Sequence, residues 1–306
     1  MTSPSQRQPQ DSQTFQLPDG RTLGFAVFGS PPSPDIPTIF YFHGFPTSRL
    51  EGILLKSEKF ALTVVAIDRP GMGLSSFQLG RRILDWPSDV LAIADHLEIA
   101  RFYCLGDSGG SPYALACVKE ISRTRLLGTA VVSGIYPLSL GTQGMMFSAR
   151  MLFVAAAWLP TIVLAKFLDL EFGNMARDVD PKVSEESFMK VMERRSERDR
   201  RCCEDEELRK VLVETMRESF RQGSEGPAWD FGLYADWGFE LEEVDGQSVT
   251  LWHGEKDINT PFGMAEKGAK ILKGCKLRAF EEETHLSLPL NRMEEIVQAL
   301  INSEAR

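Results

Sequence analysis

Five consecutive residues, Gly106-Asp107-Ser108-Gly109-Gly110, carry the strongest chemical signal in the chain. They spell G-x-S-x-G, a pattern that holds a serine hydroxyl at a sharp strand-to-helix turn as a nucleophile. Residues 102–105 before it read as a buried strand, and 112–121 after it as a helix. Without those flanks the pattern is only a Gly-rich turn. Glycines two before and two after the serine let strand and helix approach closely. Asp107 is the other side chain here that could attack a carbon. Making it the turn residue would put Leu105 where a small side chain is needed, so Ser108 is preferred.

A serine hydroxyl needs a base to become a nucleophile. The chain has 4 histidines. His96 falls on a helix beside Asp95 and His253 inside a strand-end run, so both read as packing residues. His43 precedes the serine and opens another motif. His285 follows the final strand, in Glu283-Thr284-His285-Leu286, and in a chain order of serine, acid, histidine it is the base. The orienting acid belongs on the loop after the penultimate strand, where Glu255 and Asp257 both stand. Asp257 is preferred; its role is to hold the imidazole tautomer and stabilise the imidazolium. Glu281, Glu282 and Glu283 adjoin His285 but read as a solvated patch. The oxyanion formed on attack needs two backbone N–H donors. Gly109 supplies one, and Phe45, in Phe42-His43-Gly44-Phe45-Pro46, is the natural second, since Pro46 has no N–H.

These groups need a scaffold. Short apolar runs at 38–42, 62–67, 102–105, 126–132, 249–253 and 276–280 alternate with helix-period stretches at 48–60, 90–97, 112–121, 261–272 and 293–301. That alternation argues for a parallel sheet covered on both faces. Residues 15–17 and 23–29 around Pro18-Asp19-Gly20 read as an opening hairpin. The N-cap of the helix at 90–97 is Asp85 or Ser88. Residues 1–13 read as a disordered tail. The alternation stops after Pro137, and 138–245 is helical in pattern, very apolar at first and densely charged later. The organisation expected is thus an α/β core from 14–137 and 246–306 with helices at 138–245 inserted. A chain of 306 residues suits one large domain with an insertion.

Composition removes some functions. With 34 Lys+Arg against 43 Asp+Glu the net charge is −9, a poor match to nucleic acid or anionic lipid. The 5 cysteines are odd in number and form no C-x-x-C pair, so no zinc site or redox pair is indicated and a reducing compartment is expected. The N-terminus lacks the apolar core of a signal peptide, and a cytosolic location is expected.

The chain resembles the α/β-hydrolase superfamily, in its large esterase- and lipase-like group with an inserted helical cap. The matching residues are His43-Gly44-Phe45-Pro46, Asp68-Arg69-Pro70-Gly71-Met72-Gly73-Leu74-Ser75, Gly106-Asp107-Ser108-Gly109-Gly110, 254–257 and His285. The resemblance implies an eight-stranded, mostly parallel sheet with strand 2 antiparallel. It gives the D-x-P-G-x-G-x-S stretch a structural role near the site. Epoxide hydrolases and haloalkane dehalogenases carry aspartate where this chain has Ser108. Prolyl iminopeptidases resemble G-G-S-W-G at the elbow, and Gly109 replaces that tryptophan. No metal or cofactor is implied.

In the inserted helices, Arg150 and Lys166 bound an apolar run of fifteen residues broken by Pro160. A membrane span needs about 20 without a break, so none is expected. The run reads as pocket lining, with Phe153, Trp158 and Leu159 facing the substrate. The thin stripes Phe188/Met192 and Leu208/Leu212/Met216 read as solvated helices. The function expected is a serine hydrolase that cleaves a carboxylic ester or lactone of an apolar small molecule through an acyl-enzyme. The alternatives are an acyltransferase on the same three residues and a non-catalytic ligand receptor of the same fold.

Overall fold

The computed structural model describes residues 10–56 and 59–303. Strands β1 (Gln13–Gln16), β2 (Thr22–Gly29), β3 (Thr38–Phe42), β4 (Thr63–Ile67), β5 (Phe102–Asp107), β6 (Leu126–Val132), β7 (Val249–Gly254) and β8 (Lys276–Phe280) form one sheet. Their spatial order is β1-β2-β4-β3-β5-β6-β7-β8. β2 runs antiparallel to β1 and to β4, and the remaining neighbours pair in parallel. Every residue of β3 and of β4 is buried, as expected of strands covered on both faces. Successive side chains point to opposite faces of a strand. Phe40 and Phe42 therefore join a core with α1 (Trp86–His96) and α2 (Ser111–Glu120), while Ile39 and Tyr41 join one on the other face.

Between β6 and β7 no strand occurs among the described residues. Seven helices fill the interval: α3 (Phe147–Ala156), α4 (Thr161–Leu168), α5 (Asn174–Ala176), α6 (Pro181–Met192), α7 (Glu197–Cys202), α8 (Glu206–Ser219) and α9 (Glu225–Leu233). Pro160 separates α3 from α4. Asp180, Ser196 and Asp205 cap α6, α7 and α8 by accepting from the amides of Lys182, Asp199 and Leu208. After β7 come α10 (Phe262–Ile271) and α11 (Ser287–Ile301). α11 packs Leu288, Ile296, Val297 and Leu300 against the Ile39/Tyr41 face. Among the described residues no helix is long and apolar enough to cross a membrane.

Several local expectations shift. The tail expected over 1–13 lies outside the described residues only to residue 9. The Gln10 carbonyl accepts from the Val27 amide at 2.8 Å, and β1 begins at Gln13. The stretch expected as a helix over 48–60 is a short 3₁₀ turn, Arg49–Leu55, and residues 57–58 lie outside the described part. Gly52 explains the turn: a Cβ there would stand 2.6 Å from the Ala66 side chain, so the segment is pressed against β4. The last helix begins at Ser287 rather than 293. Pro289 falls in its first turn, where a missing N–H costs no helical bond. Helix α1 starts at Trp86, which makes Asp85 its N-cap.

Candidate active site

Ser108 lies just past the end of β5 with φ +45°, a left-handed conformation that a non-Gly residue adopts only under constraint. The constraint is the close approach of strand and helix around it. A Cβ on Gly106 would stand 2.6 Å from the Gly110 carbonyl oxygen, and one on Gly110 would stand 2.0 Å from that of Phe42. Glycine is required at both, and Ser108 is left projecting above the sheet.

His285, on the loop between β8 and α11, places Nε2 3.0 Å from Ser108 Oγ. Its Nδ1 lies 2.7 Å from Oδ2 of Asp257, on the loop after β7. Asp257 is buried, and its Oδ1 also accepts from the amides of Asn259 and Thr260. Burial alone would raise the Asp257 carboxyl, but the charge and hydrogen bond of His285, then His253 and the Thr260 amide, hold it below its ordinary value. Burial alone would lower His285, and Asp257 more than offsets that, raising the imidazole above 6.5. Glu255 is exposed and takes no part. Serine, imidazole and carboxylate thus form one hydrogen-bonded chain along which the Ser108 proton can move.

Asp107 has a different environment. Burial first, then the charge of Glu51, pushes its carboxyl up to about 8, with His285 opposing. A carboxyl whose ionised form is disfavoured in this way is a poor nucleophile, in keeping with the steric preference for Ser108. His253 is buried below the site, hydrogen-bonded to the Thr260 carbonyl at 2.6 Å. His96 is exposed and stacks on Phe15 at 4.3 Å.

The loop after β3 brings Gly44 to Ser108: a Cβ built on Gly44 would lie 3.6 Å from that of Ser108. Phe45 and Gly109 border the same cavity as Ser108, and the backbone N–H of neither donates to another group among the described residues. Arg69, on the loop after β4, supports the loop from beneath, donating to the carbonyls of His43 at 2.5 Å and Gly44 at 2.9 Å. Arg69 and Arg81 both pair with Asp230 on α9, which also accepts from Tyr113 and Tyr234. All of these groups are buried. The D-x-P-G-x-G-x-S stretch is thereby a clasp between the sheet and the helices. Gly71 in it has φ +84°, and a Cβ there would stand 2.7 Å from the Cα of Gly226 on α9. Asp68 pairs with Arg49, which also reaches Glu218 on α8.

Above Ser108 lies a cavity of about 210 Å³ with a second lobe of about 150 Å³. Ser108 and His285 border both lobes. The larger is lined by Leu152 and Phe153 of α3, Phe167 of α4, and Phe231 and Tyr234 at α9. The smaller is lined by Met175, Phe188, Met192, Leu212 and Met216, with Glu51 and Asp107 at one end. Of the three side chains expected to face the substrate, Phe153 lines the larger lobe, stacked on Phe231 at 4.8 Å. Trp158 and Leu159 do not. They sit in the corner between α3 and α4 and turn to solvent, with exposures of 85% and 39%. α3 ends at Ala156, so these two residues have left the helix face that carries Phe153. The stripes Phe188/Met192 and Leu212/Met216, read from the sequence as solvated, line the smaller lobe instead. Glu283, expected in a solvated patch, is buried and accepts from Ser287 at 2.6 Å and Asn291 at 3.1 Å.

Two participants escape the sequence reading. Thr260 Oγ1 lies 3.0 Å from Asp257 Oδ2 and 3.2 Å from His285 Nδ1, and donates to the Ser133 carbonyl. The spacing Asp-x-x-Thr, in which a carboxylate reaches amides two and three residues on, signals such a local turn. Tyr234 OH would lie 2.4 Å from a Cβ on Gly109, so position 109 has room for glycine only. No sequence pattern links those two residues.

No family model matches the sequence, and a search of curated proteins gives no match. Solved structures do match. An esterase from Exiguobacterium antarcticum superposes with a TM-score of 0.63 at 17% identity, covering 96% of this chain and 100% of that one. An enol-lactonase from Burkholderia xenovorans LB400 gives 0.61 at 16% identity over 94% and 98%. An N-acyl homoserine lactone degrading enzyme gives 0.60 at 20% identity over 94% and 98%. The chain has the α/β-hydrolase fold: an eight-stranded, mostly parallel sheet with β2 antiparallel and helices on both faces. Its structural likeness extends to esterases and lactonases of that fold.

Proposed function

We propose that the chain is a serine hydrolase that cleaves a carboxylic ester or lactone through an acyl-enzyme. One observation carries the reading. A strained Ser108 is joined to His285 at 3.0 Å and through it to Asp257 at 2.7 Å, and opens into an apolar cavity beside two free amides. In the reaction, Ser108 Oγ attacks the carbonyl carbon and passes its proton to His285 Nε2. The oxyanion that forms is held by the N–H groups of Phe45 and Gly109. Asp257 steadies the imidazolium. His285 then protonates the departing alkoxide as its bond to carbon breaks. Water, deprotonated by His285, attacks the acyl carbon, and the proton returns to Ser108 as the acid leaves. Residues 138–245 act as a cap that closes this site, and the clasp through Asp230 and Arg69 holds cap and oxyanion loop in register.

The test is turnover of short p-nitrophenyl esters. Ser108→Ala should fold normally and lose on the order of 10⁴–10⁶ in rate, as removal of such a nucleophile does elsewhere. Activity within about tenfold of the parent would remove Ser108 from the mechanism.

A further inference from the structure

The two lobes of the cavity meet at Ser108, and a cation stands at that junction. Arg195, in the turn between α6 and α7, borders both lobes. Its side chain is half-buried, and its guanidinium makes no hydrogen bond or ion pair among the described residues. The other arginines withdrawn from solvent have partners: Arg21 pairs with Asp89, Arg49 with Asp68 and Glu218, Arg69 and Arg81 with Asp230, Arg125 with Asp95 and Arg209 with Glu185, while Arg217 donates to the Ser184 hydroxyl and the Asp178 carbonyl.

Two carboxylates feel the charge of Arg195 without pairing with it among the described residues. Asp257 serves His285 and Thr260. Oδ1 of Asp199 accepts from Thr284 Oγ1 at 2.5 Å and from the amide of Leu286 at 3.0 Å, tying α7 to the loop that carries His285. The neighbouring Arg194 is mostly exposed and turns to Glu171 at 3.8 Å. Burial works against the charge on Arg195. A cation on a cavity that is also bordered by Phe45, Phe172 and Val191, with no partner among the described residues, is costly unless an anion joins it. Asp199 and Asp257 act on it only from beyond ion-pair distance, and no other carboxylate of the described residues pairs with it.

We propose that Arg195 binds a carboxylate of the substrate, so that the ester or lactone attacked at Ser108 bears a second, ionised carboxyl group on its acyl or alcohol part. The proposal rests on the reading of Ser108 given above and narrows its substrate class. Guanidinium presents two parallel N–H groups that match a carboxylate. The apolar lobes take the hydrocarbon between the two ends. The apolar substrate expected from the sequence thus becomes an amphiphile.

The test compares the p-nitrophenyl half-ester of adipic acid with its neutral, methyl-capped counterpart. The parent enzyme should favour the charged ester in kcat/KM by about tenfold to a hundredfold, mainly through KM, the range for a hydrogen bond to a charged group. Arg195→Gln should bring the ratio near one, and Arg195→Lys should keep part of it. A variant that merely loosens the cap slows both esters and leaves the ratio alone. No preference in the parent, or the same preference in Arg195→Gln, overturns the proposal. Calorimetric titration with adipate, which has no ester to cleave, separates the two readings. If neither ester turns over, the hydrolase reading fails by itself. Adipate binding that Arg195→Gln weakens at least tenfold would still uphold the carboxylate site, and no binding to the parent would end it.

Discussion

The loops at the strand ends and the helices laid over them use the same kinds of side chain to different ends. Arg69, after β4, spends its guanidinium on two backbone carbonyls and Asp230 and is wholly buried. Arg195, among the helices, spends its own on nothing among the described residues. Around Ser108 the backbone itself is under constraint, with φ +45° and glycines that no other residue could replace. On α3 and in the corner before α4 large apolar side chains are left in solvent, Phe147 at 76% and Trp158 at 85%. The strand ends hold the groups proposed to react in place by local geometry. The helices supply shape and charge by where they happen to pack.

If that division holds, the largest losses should follow changes at the strand ends. Asp257→Asn should cost on the order of 10⁴ in rate, because the imidazole loses the tautomer that accepts the serine proton. Glu255→Gln should be mild, and the reverse pattern in the two variants would reassign the acid. The pH profile gives a second reading of the same pair. His285 must be neutral to act as base, and Asp257 raises its pKa, so kcat/KM should climb through a midpoint above 6.5. In Asp257→Asn that midpoint should move to lower pH. A midpoint unmoved by the substitution would mean that another group limits the rate.

The clasp joining the two regions comes next. Asp230→Ala leaves Arg69 and Arg81 buried without a counter-charge, which should cost about 3–5 kcal/mol of stability in denaturant unfolding. A loss below about 1 kcal/mol, the range of an exposed pair, would show that water reaches these groups.

Smaller effects should separate α3 from the corner that follows it. Phe153→Ala should raise KM for bulky apolar esters more than for acetate esters, by about 1–3 kcal/mol in discrimination. Trp158→Ala should change stability and KM by no more than about 0.5 kcal/mol, as an exposed substitution does. A selective effect of Trp158→Ala on bulky esters would return that side chain to the pocket.

How much of this was legible in the chain follows from the same division. Ser108 could be read because its turn is dictated by residues within two positions of it. His285 and Asp257 could be read because each must follow a particular strand. The sheet was legible because runs such as 38–42 and 62–67 admit little but a buried strand. Trp158 and Leu159 were misplaced because the run around Pro160 is apolar on every side, and only packing decides which part faces inward. Phe188, Met192 and Arg195 were hidden in a stretch so charged that it read as solvated. Their partners lie far away in sequence, near Ser108 and His285, and no spacing along the helix reports that.

Mass spectrometry after reaction with a fluorophosphonate tests the central claim most directly, because the reagent bonds only to an activated hydroxyl. The protein should gain one adduct, located on the peptide that carries Ser108. The adduct should be absent in Ser108→Ala and form far more slowly in Asp257→Asn. An unlabelled parent protein, or an adduct on any residue other than Ser108, would contradict the account.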